Sequence, residues 1–267
     1  MSRYAAIFRR NEGAFGAFVM LGDPDLETSA RILDTLVEGG ADMIEVGIPF
    51  SDPVADGPVI QAAAVRALEK GVTPADCFAL LGAFRARHAD VPVGILTYAN
   101  LVVARGRDAF YRAAAEAGVD SVLVADVPEI EAAPFAQAAR AAGIDPVLIA
   151  AANTPDDRIA RIAALGGGYT YCVTRAGITG ADQAVRFDHA ALIDALARNG
   201  APPPVFGFGI SKPDHVAAAL AAGAAGAISG SAIVQRIADH PDDPAGAVRS
   251  FVAAMKGATR IREAVQG

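Results

Sequence analysis

Cysteine and histidine are both scarce in this chain, and neither is clustered. The two cysteines, Cys77 and Cys172, fall in different predicted elements, so no disulfide framework is indicated. The four histidines stand singly, which is typical of surface or helix-end residues rather than of metal ligands or catalytic bases. They are His88, His189, His215 and His240. We therefore expect no zinc site, no other metal and no cofactor.

Lysine is nearly absent as well, although arginine is not. Only three of the 23 basic residues are lysine, namely Lys70, Lys212 and Lys256, and none falls in a predicted strand. Schiff-base aldolase chemistry therefore lacks its nucleophile. Metal-dependent aldolase chemistry lacks clustered histidines, and residues 22–25 are more typical of a turn than of a metal site. Acid–base chemistry without a metal remains.

Positive charge is too sparse for a nucleic-acid or anionic-membrane partner. The 23 basic residues are outnumbered by 30 acidic ones, the net charge is −7, and no stripe rich in lysine or arginine occurs. The longest nearly apolar stretch, 216–228, is too short to cross a bilayer. Residues 1–10 lack the apolar core of a signal peptide. We therefore expect no membrane association, no export and a cytoplasmic location.

Apolar runs of strand length alternate with stretches of helical periodicity through the chain. The runs are nearly continuous, which is typical of a parallel sheet covered on both faces. Strands are predicted at 15–21, 43–49, 91–99, 121–126, 146–151, 169–174, 205–209 and 225–230. Helices are predicted at 27–38, 60–70, 74–87, 108–117, 132–142, 155–164 and 213–222.

The same capping residues recur at the starts and ends of the predicted helices. A glycine, expected in the left-handed cap conformation, ends a helix before several strands. These glycines are Gly40, Gly118, Gly143 and Gly223. Helix starts repeat a hydroxyl residue before proline and aspartate, which predicts hydroxyl caps at Thr73 and Thr154 and a close variant at Ser211.

Eight strand–helix units most naturally close into a (β/α)8 TIM barrel, which is an α/β fold. Extra helices are expected at the amino terminus, within 58–88 and at the carboxyl end. An open doubly wound sheet is the alternative, but it usually carries GxGxxG at its first turn, whereas residues 13–16 precede the first strand. Because no low-complexity linker divides the chain, we expect a single domain over residues 1–267.

A carboxylate lies in the middle of predicted strand 2. The period of two places Met43, Glu45 and Gly47 on one face of this strand. Neither face of a barrel strand meets bulk water there, so Glu45 either pairs with arginine or backbone as a core residue or lines a ligand cavity. We favour the second interpretation, in which Glu45 has a raised pKa and acts as a general acid or base.

The loop after strand 2 carries two more carboxylates, Asp52 and Asp56. By itself, Asp56 followed by Gly57 is more typical of a turn. The carboxyl end of a barrel strand is where working residues gather, so Asp56 is able to reach the same cavity as Glu45. Two carboxylates in different environments can supply both a proton donor and an anionic stabiliser.

Glycine-rich loops with hydroxyl residues follow the last three predicted strands, at 175–180, 207–211 and 229–231. Phosphate sites in barrels commonly form there, from exposed backbone N–H groups and a helix amino terminus. Each glycine alone is also explained by a turn or by close packing. As a set, the three loops predict a phosphorylated small molecule as the ligand.

Four segments stand in a distinctive order along the chain: FVMLGDP at 18–24, IEVGIPFSDPVADGP at 44–58, YTYCVTRAGITG at 169–180 and GFGIS at 207–211. Together they resemble the tryptophan synthase alpha chain family, and the resemblance covers essentially the whole chain. It implies a TIM-barrel lyase of tryptophan biosynthesis, which cleaves indole-3-glycerol phosphate by a retro-aldol step into indole and glyceraldehyde 3-phosphate. It also implies a beta-chain partner, in an α2β2 heterotetramer, that receives the indole.

The resemblance further implies roles for individual residues. Glu45 looks like the acid–base residue, Asp56 like the carboxylate facing the indole N–H, and Tyr171 like an active-site tyrosine. The residues that would pack the indole ring are Phe18, Leu96, Tyr98 and Phe208. The residues that would hold the phosphate are Thr179, Gly180, Gly209, Gly230 and Ser231. Asp52 and residues 98–101 would face the beta chain, and the loops containing 52–58 and 175–180 would close over substrate.

Two other functions stay open at this point. A sugar-phosphate epimerase on the same barrel would need paired aspartate or histidine metal ligands on several strands, which the sequence lacks. A non-catalytic subunit that only activates a partner would have no need of Glu45 and Asp56.

Overall fold

Eight parallel strands close into a barrel in the computed structural model, which describes residues 2–10, 12–173 and 190–260. Neighbours in sequence are neighbours in the sheet, and the last strand pairs with the first. The strands are β1 (Ala14–Met20), β2 (Met43–Gly47), β3 (Val93–Thr97), β4 (Ser121–Val124), β5 (Asp145–Ala151), β6 (Thr170–Val173), β7 (Pro204–Phe206) and β8 (Gly226–Ser229). The predicted TIM barrel is thereby confirmed, and the open sheet is excluded.

Helices surround the barrel. Within the described residues they are α1 (Arg3–Phe8), α2 (Leu26–Glu38), α3 (Pro58–Glu69), α4 (Pro74–Arg87), α5 (Ala99–Val103), α6 (Arg107–Glu116), α7 (Ala133–Ala141), α8 (Asp156–Leu165), α9 (Ala190–Arg198), α10 (Pro213–Ala221), α11 (Ser231–Asp239) and α12 (Pro244–Gly257). The extra helices expected at both ends and within 58–88 are α1, α12 and the pair α3 and α4. None of the helices in the described ranges is long and apolar enough to span a membrane.

Local signals set many of the element boundaries. Thr73 caps α4 as predicted, and with Asp76 it forms a capping box in which each side chain accepts from the other residue's backbone N–H. The four glycines expected in the left-handed conformation all have positive φ. Strand β7 ends at Phe206, three residues earlier than predicted, and Gly209 at φ +76° lies in the turn that follows.

Two predicted hydroxyl caps are wrong. Pro155 rather than Thr154 stands at the N-cap of α8, because the Thr154 hydroxyl accepts from the Ala151 amide at 2.8 Å and closes the turn after β5. Lys212 rather than Ser211 stands at the N-cap of α10, where no side chain caps the helix. Predicted strand 3 also ends too late, at residue 99, because α5 begins there.

The two faces of each strand pack into different cores. On β2, Ile44 and Val46 belong to the layer between the sheet and the helices, whereas Met43 belongs to the cluster inside the barrel, together with Phe18 and Tyr169. The alternation predicted for strand 2 therefore places Glu45 inside the barrel, on the same face as Met43.

Helix α1 closes the amino-terminal end of the barrel. The Tyr4 hydroxyl lies 2.8 Å from Ser121 Oγ at the start of β4, and the Tyr4 ring packs against Tyr169 at 5.3 Å between centroids. Arg3 pairs with Asp120 at 2.7 Å, next to Ser121 in sequence. Since this end is filled, a ligand cavity has its mouth at the carboxyl ends of the strands.

Candidate active site

Glu45 is a buried carboxyl group inside the barrel, with 2% of the residue exposed. The Tyr169 hydroxyl donates a hydrogen bond to Glu45 Oε1 at 2.8 Å. The other oxygen, Oε2, has no hydrogen-bond partner among the residues that the structure describes. Burial raises the pKa of Glu45 to about 7; the hydrogen bond from Tyr169 opposes this shift, and the charge of Asp56 adds to it. Glu45 is therefore able to exchange a proton near neutral pH.

Glycine on the neighbouring strand makes space beneath Glu45. Gly94 of β3 lies opposite Glu45 in the parallel register. A Cβ at this position would lie 2.7 Å from Ser121 Oγ and 3.0 Å from the Tyr4 hydroxyl. A side chain at position 94 would thus collide with the polar groups at the amino-terminal end of the barrel. Because Gly94 has no side chain, Tyr169 has room to reach Glu45.

Asp56 lies in the loop between β2 and α3 and is partly buried. Burial raises the pKa of Asp56, and the Tyr98 hydroxyl opposes the shift. Tyr98 also anchors the loop, because its hydroxyl accepts from the Ala55 amide at 3.3 Å and its ring stacks on Phe50 at 5.4 Å between centroids. The structure therefore brings Asp56 close enough to Glu45 for the two charges to interact.

Tyr171 is the third polar group near both carboxylates. It is buried, and burial raises its pKa well above the ordinary value, with the charges of Glu45 and Asp56 adding to the shift. The hydroxyl therefore keeps its proton and remains a hydrogen-bond donor. Its ring meets Phe208 edge to face at 6.2 Å between centroids.

Apolar side chains form the walls of the mouth. Phe18 of β1 lies between two strand ends, since a Cβ on Gly47 would lie 3.0 Å from its Cζ and one on Gly230 3.4 Å from its Cδ1. Leu96 of β3 stands opposite Gly47 and packs against the inner cluster. Phe208 is half-buried and belongs to the same cluster. Phe18, Leu96 and Phe208 thus belong to the same inner cluster as Tyr171, which lies near both carboxylates.

Backbone groups at the carboxyl ends of β7 and β8 lie at the same end of the barrel as the loop of Asp56. Gly209 follows β7, and Gly230 is the N-cap of α11, whose first residue is Ser231. The first N–H groups of a helix have no partner within it and favour anions. Thr179 and Gly180, also predicted to hold phosphate, lie outside the described residues, as does the rest of the segment 174–189.

Comparison with known proteins places these residues in a family. Residues 4–263 match the family model of the tryptophan synthase alpha chain. The chain belongs to the tryptophan synthase alpha chain family. The tryptophan synthase alpha chain of Klebsiella pneumoniae is 53% identical over 97% of this chain and 99% of its own length. That of Escherichia coli is 52% identical over 97% of this chain and 100% of its own length.

Solved structures of the family have the same barrel. Tryptophan synthase subunit alpha from Legionella pneumophila matches with a TM-score of 0.88 at 28% identity, covering 97% of this chain and 99% of that one. A chain of the tryptophan synthase complex from Pyrococcus furiosus matches with a TM-score of 0.83 at 34% identity, covering 92% and 98%. Another Pyrococcus furiosus structure is described as the tryptophan synthase a2b2 complex.

One lining residue of this tryptophan synthase alpha barrel is not predicted by the sequence patterns. Ile149 of β5 lies opposite Tyr171 of β6 and is 37% exposed, although it stands in the middle of a barrel strand. An isoleucine exposed at such a position faces the open cavity. The signal in the sequence is weak, because the run 146–151 looks apolar throughout and does not separate cavity from core.

Proposed function

We propose that this chain catalyses the alpha reaction of tryptophan synthase, the retro-aldol cleavage of indole-3-glycerol phosphate to indole and glyceraldehyde 3-phosphate. The observation that carries the proposal is the pair of carboxyl groups with raised pKa in one cavity, Glu45 and Asp56. Glu45 is held through one oxygen by Tyr169, and its second oxygen is free of protein partners within the described residues. Membership of the family supports the choice of reaction.

The first step is a proton transfer to the indole ring. Protonated Glu45 donates its proton to C3 of the indole, and the ring becomes a cationic electron sink. Asp56, as a carboxylate facing the ring N–H, stabilises the positive charge that develops on nitrogen. The shifted pKa of Glu45, about 7, matches a group that must give up a proton near neutral pH.

The second step breaks the carbon–carbon bond. The Glu45 carboxylate takes the proton of the hydroxyl on the carbon attached to C3, and the electron pair on oxygen forms the new carbonyl. The pair from the broken bond passes into the ring and neutralises it as indole. Glu45 is left protonated for the next turnover, so one carboxyl group serves as both acid and base.

Binding of the substrate is divided between ring and phosphate. Phe18, Leu96, Tyr98 and Phe208 would enclose the indole, and Ile149 adds to this apolar wall. Tyr171 would help to orient the substrate beside the two carboxylates. Amide groups of Gly209, Gly230 and Ser231 would bind the phosphate, together with Thr179 and Gly180, and would need no lysine.

A surface beside the mouth suits the beta-chain partner. Val54 and Ile130 are 71% and 66% exposed, in the loops that follow the nearby strands β2 and β4. Arg158 donates two hydrogen bonds of 2.6 Å to the Glu129 carboxylate and so anchors the loop from which the adjacent Ile130 protrudes. Asp52 is exposed on the same side.

Of the residues 98–101 assigned to the partner, Asn100 is exposed, whereas Tyr98 is buried and engaged with the Asp56 loop. We propose that Val54, Ile130, Asp52 and Asn100 meet the beta chain. The loop after β2 carries both Asp56 of the active site and Val54 of this surface. Binding of the beta chain would therefore be coupled to closure of this loop over the substrate.

Glu45→Gln tests the reaction. We expect the release of indole from indole-3-glycerol phosphate to fall by about 10²- to 10⁴-fold, because general acid–base catalysis is removed. Glu116→Gln, on the exposed face of α6, is the matched control and should keep the wild-type rate. Wild-type activity in a folded Glu45→Gln protein would refute the assigned role. Stimulation of a beta chain without any cleavage would instead favour a non-catalytic subunit.

A further inference from the structure

A histidine from α10 holds the loop between β7 and α10. His215 Nδ1 lies 2.8 Å from the Gly209 carbonyl oxygen and 3.3 Å from the Ser211 amide nitrogen. The shorter contact favours the tautomer in which Nδ1 carries the proton and donates to the Gly209 carbonyl; in this tautomer Nδ1 does not accept from the Ser211 N–H. The histidine thus ties the helix back to the loop that precedes it.

A second side chain holds the same loop from the layer between the sheet and the helices. Ser229 at the end of β8 is fully buried and donates from Oγ to the Ile210 carbonyl at 2.6 Å. Two consecutive carbonyls, of Gly209 and Ile210, are therefore each held by a side-chain donor, one from α10 and one from β8. Ser229 also stands directly before Gly230 and Ser231, so the loop is tied to the start of α11.

Fixing these carbonyls fixes the amides that share their peptide planes. In a trans peptide the C=O and the following N–H point in opposite directions. The bond from His215 therefore aims the Ile210 N–H away from the histidine. Gly209, at φ +76°, has no side chain to restrict it, so without this bond its peptide would rotate more freely.

We propose that His215 is a positioning residue for the substrate phosphate: it holds the peptide between Gly209 and Ile210 and so keeps Gly209, whose own amide would bind the phosphate, in one conformation before the substrate arrives. This inference rests on the proposed function, in which the phosphate binds at the ends of β7 and β8. Preorganised donors lower the ordering cost of binding. His215 itself touches neither the indole ring nor the bond that breaks, so its loss weakens binding and leaves the chemical step unchanged.

Two substitutions at His215 separate the hydrogen bond from the shape of the side chain. His215→Asn places an amide nitrogen two bonds beyond Cβ, where Nδ1 stands, and keeps the donor. His215→Leu keeps similar volume and removes it. We expect His215→Leu to raise KM for indole-3-glycerol phosphate about fivefold, which corresponds to the net free energy of one typical hydrogen bond. The kcat should stay within about twofold of wild type. His215→Asn should keep the wild-type KM within about twofold.

Inorganic phosphate, used as a competitive inhibitor, isolates the phosphate subsite. Its Ki should rise in His215→Leu by the same factor as KM. A lower melting temperature with unchanged KM and Ki would show a merely structural role and overturn the inference. An equal rise of KM in both variants would also overturn it. A wild-type chain that neither cleaves the substrate nor binds phosphate would overturn the proposed function itself, which distinguishes the two failures.

Discussion

The Tyr169 hydroxyl, from the residue directly before β6, reaches across the barrel and donates to Glu45 Oε1 on β2 at 2.8 Å. The bond occupies one carboxyl oxygen and leaves Oε2 without a protein partner among the described residues. Glu45 is thereby held in a defined orientation while one oxygen remains available for proton transfer. The same bond stabilises the carboxylate and so limits how far burial raises the pKa of Glu45.

The pH dependence of cleavage should report on this pair. The free enzyme starts the reaction with Glu45 protonated, so kcat/KM should fall as the pH rises through about 7. It should also fall at acid pH as Asp56, whose pKa is raised by burial, becomes protonated. In Tyr169→Phe the bond that favours the carboxylate is lost, and the basic limb should move to higher pH. Rates measured between pH 5 and 9 for both proteins check this; an unmoved limb would contradict the coupling.

The stability of the fold should depend on the ionisation of Glu45. Its pKa in the folded chain, about 7, is above the ordinary 4.5, so the neutral carboxyl stabilises the fold below 4.5 and that stability is lost as the pH rises through 7. Between pH 5 and 8 the wild type should lose about 2 to 3 kcal/mol relative to Glu45→Gln. Urea unfolding of both proteins at the two pH values measures the difference, and Glu116→Gln should follow the wild type. Parallel pH curves for wild type and Glu45→Gln would argue against the shifted pKa.

Gly207 and Tyr171 should show strong energetic coupling. A Cβ on Gly207 would lie 2.0 Å from both Cζ and the hydroxyl oxygen of Tyr171, so Gly207→Ala must displace the ring. We expect this substitution to destabilise the fold by about 1–3 kcal/mol and to lower kcat/KM. The same change in a Tyr171→Leu background should cost little, since the obstructing ring is gone.

A double-mutant cycle of unfolding free energies measures that coupling. Gly82→Ala in α4 is the control, because a Cβ there meets no atom within 4 Å, and its effect should not depend on Tyr171. An equal cost of Gly207→Ala in both backgrounds would show that the loop relaxes away from the ring.

The partner surface is tested by placing charge at its exposed apolar residues. Ile130→Asp should weaken binding to a tryptophan synthase beta chain about tenfold or more, because a buried charge would replace an apolar contact. Cleavage by the isolated chain should be unchanged. Val65→Asp is the matched control, since Val65 is also a branched aliphatic residue, 52% exposed, but lies on α3. Titration calorimetry compares the dissociation constants, and equal weakening by both variants would remove the assignment of this surface.

Much of the barrel follows from local patterns in the sequence. Continuous apolar runs, helix periodicity and glycines with positive φ are properties of neighbouring residues, and they predict the parallel strands and the ends of the helices. The period of two is enough to place Glu45 on the inner face of its strand. Local rules are sufficient here because the groups involved lie within a few residues of one another.

Identical local patterns, however, have different outcomes in different surroundings. Thr73 caps a helix as predicted, whereas Thr154, in the same hydroxyl–proline–aspartate pattern, closes a turn on Ala151. The sequence by itself determined the barrel and the face of Glu45. Only the tertiary structure decided that Tyr169 holds Glu45 and that His215 and Ser229 hold the loop after β7. Tyr169 and Glu45 are 124 residues apart in sequence, and Ser229 and Ile210 are 19 apart. These pairs meet only when the barrel has closed, so patterns of neighbouring residues do not predict them.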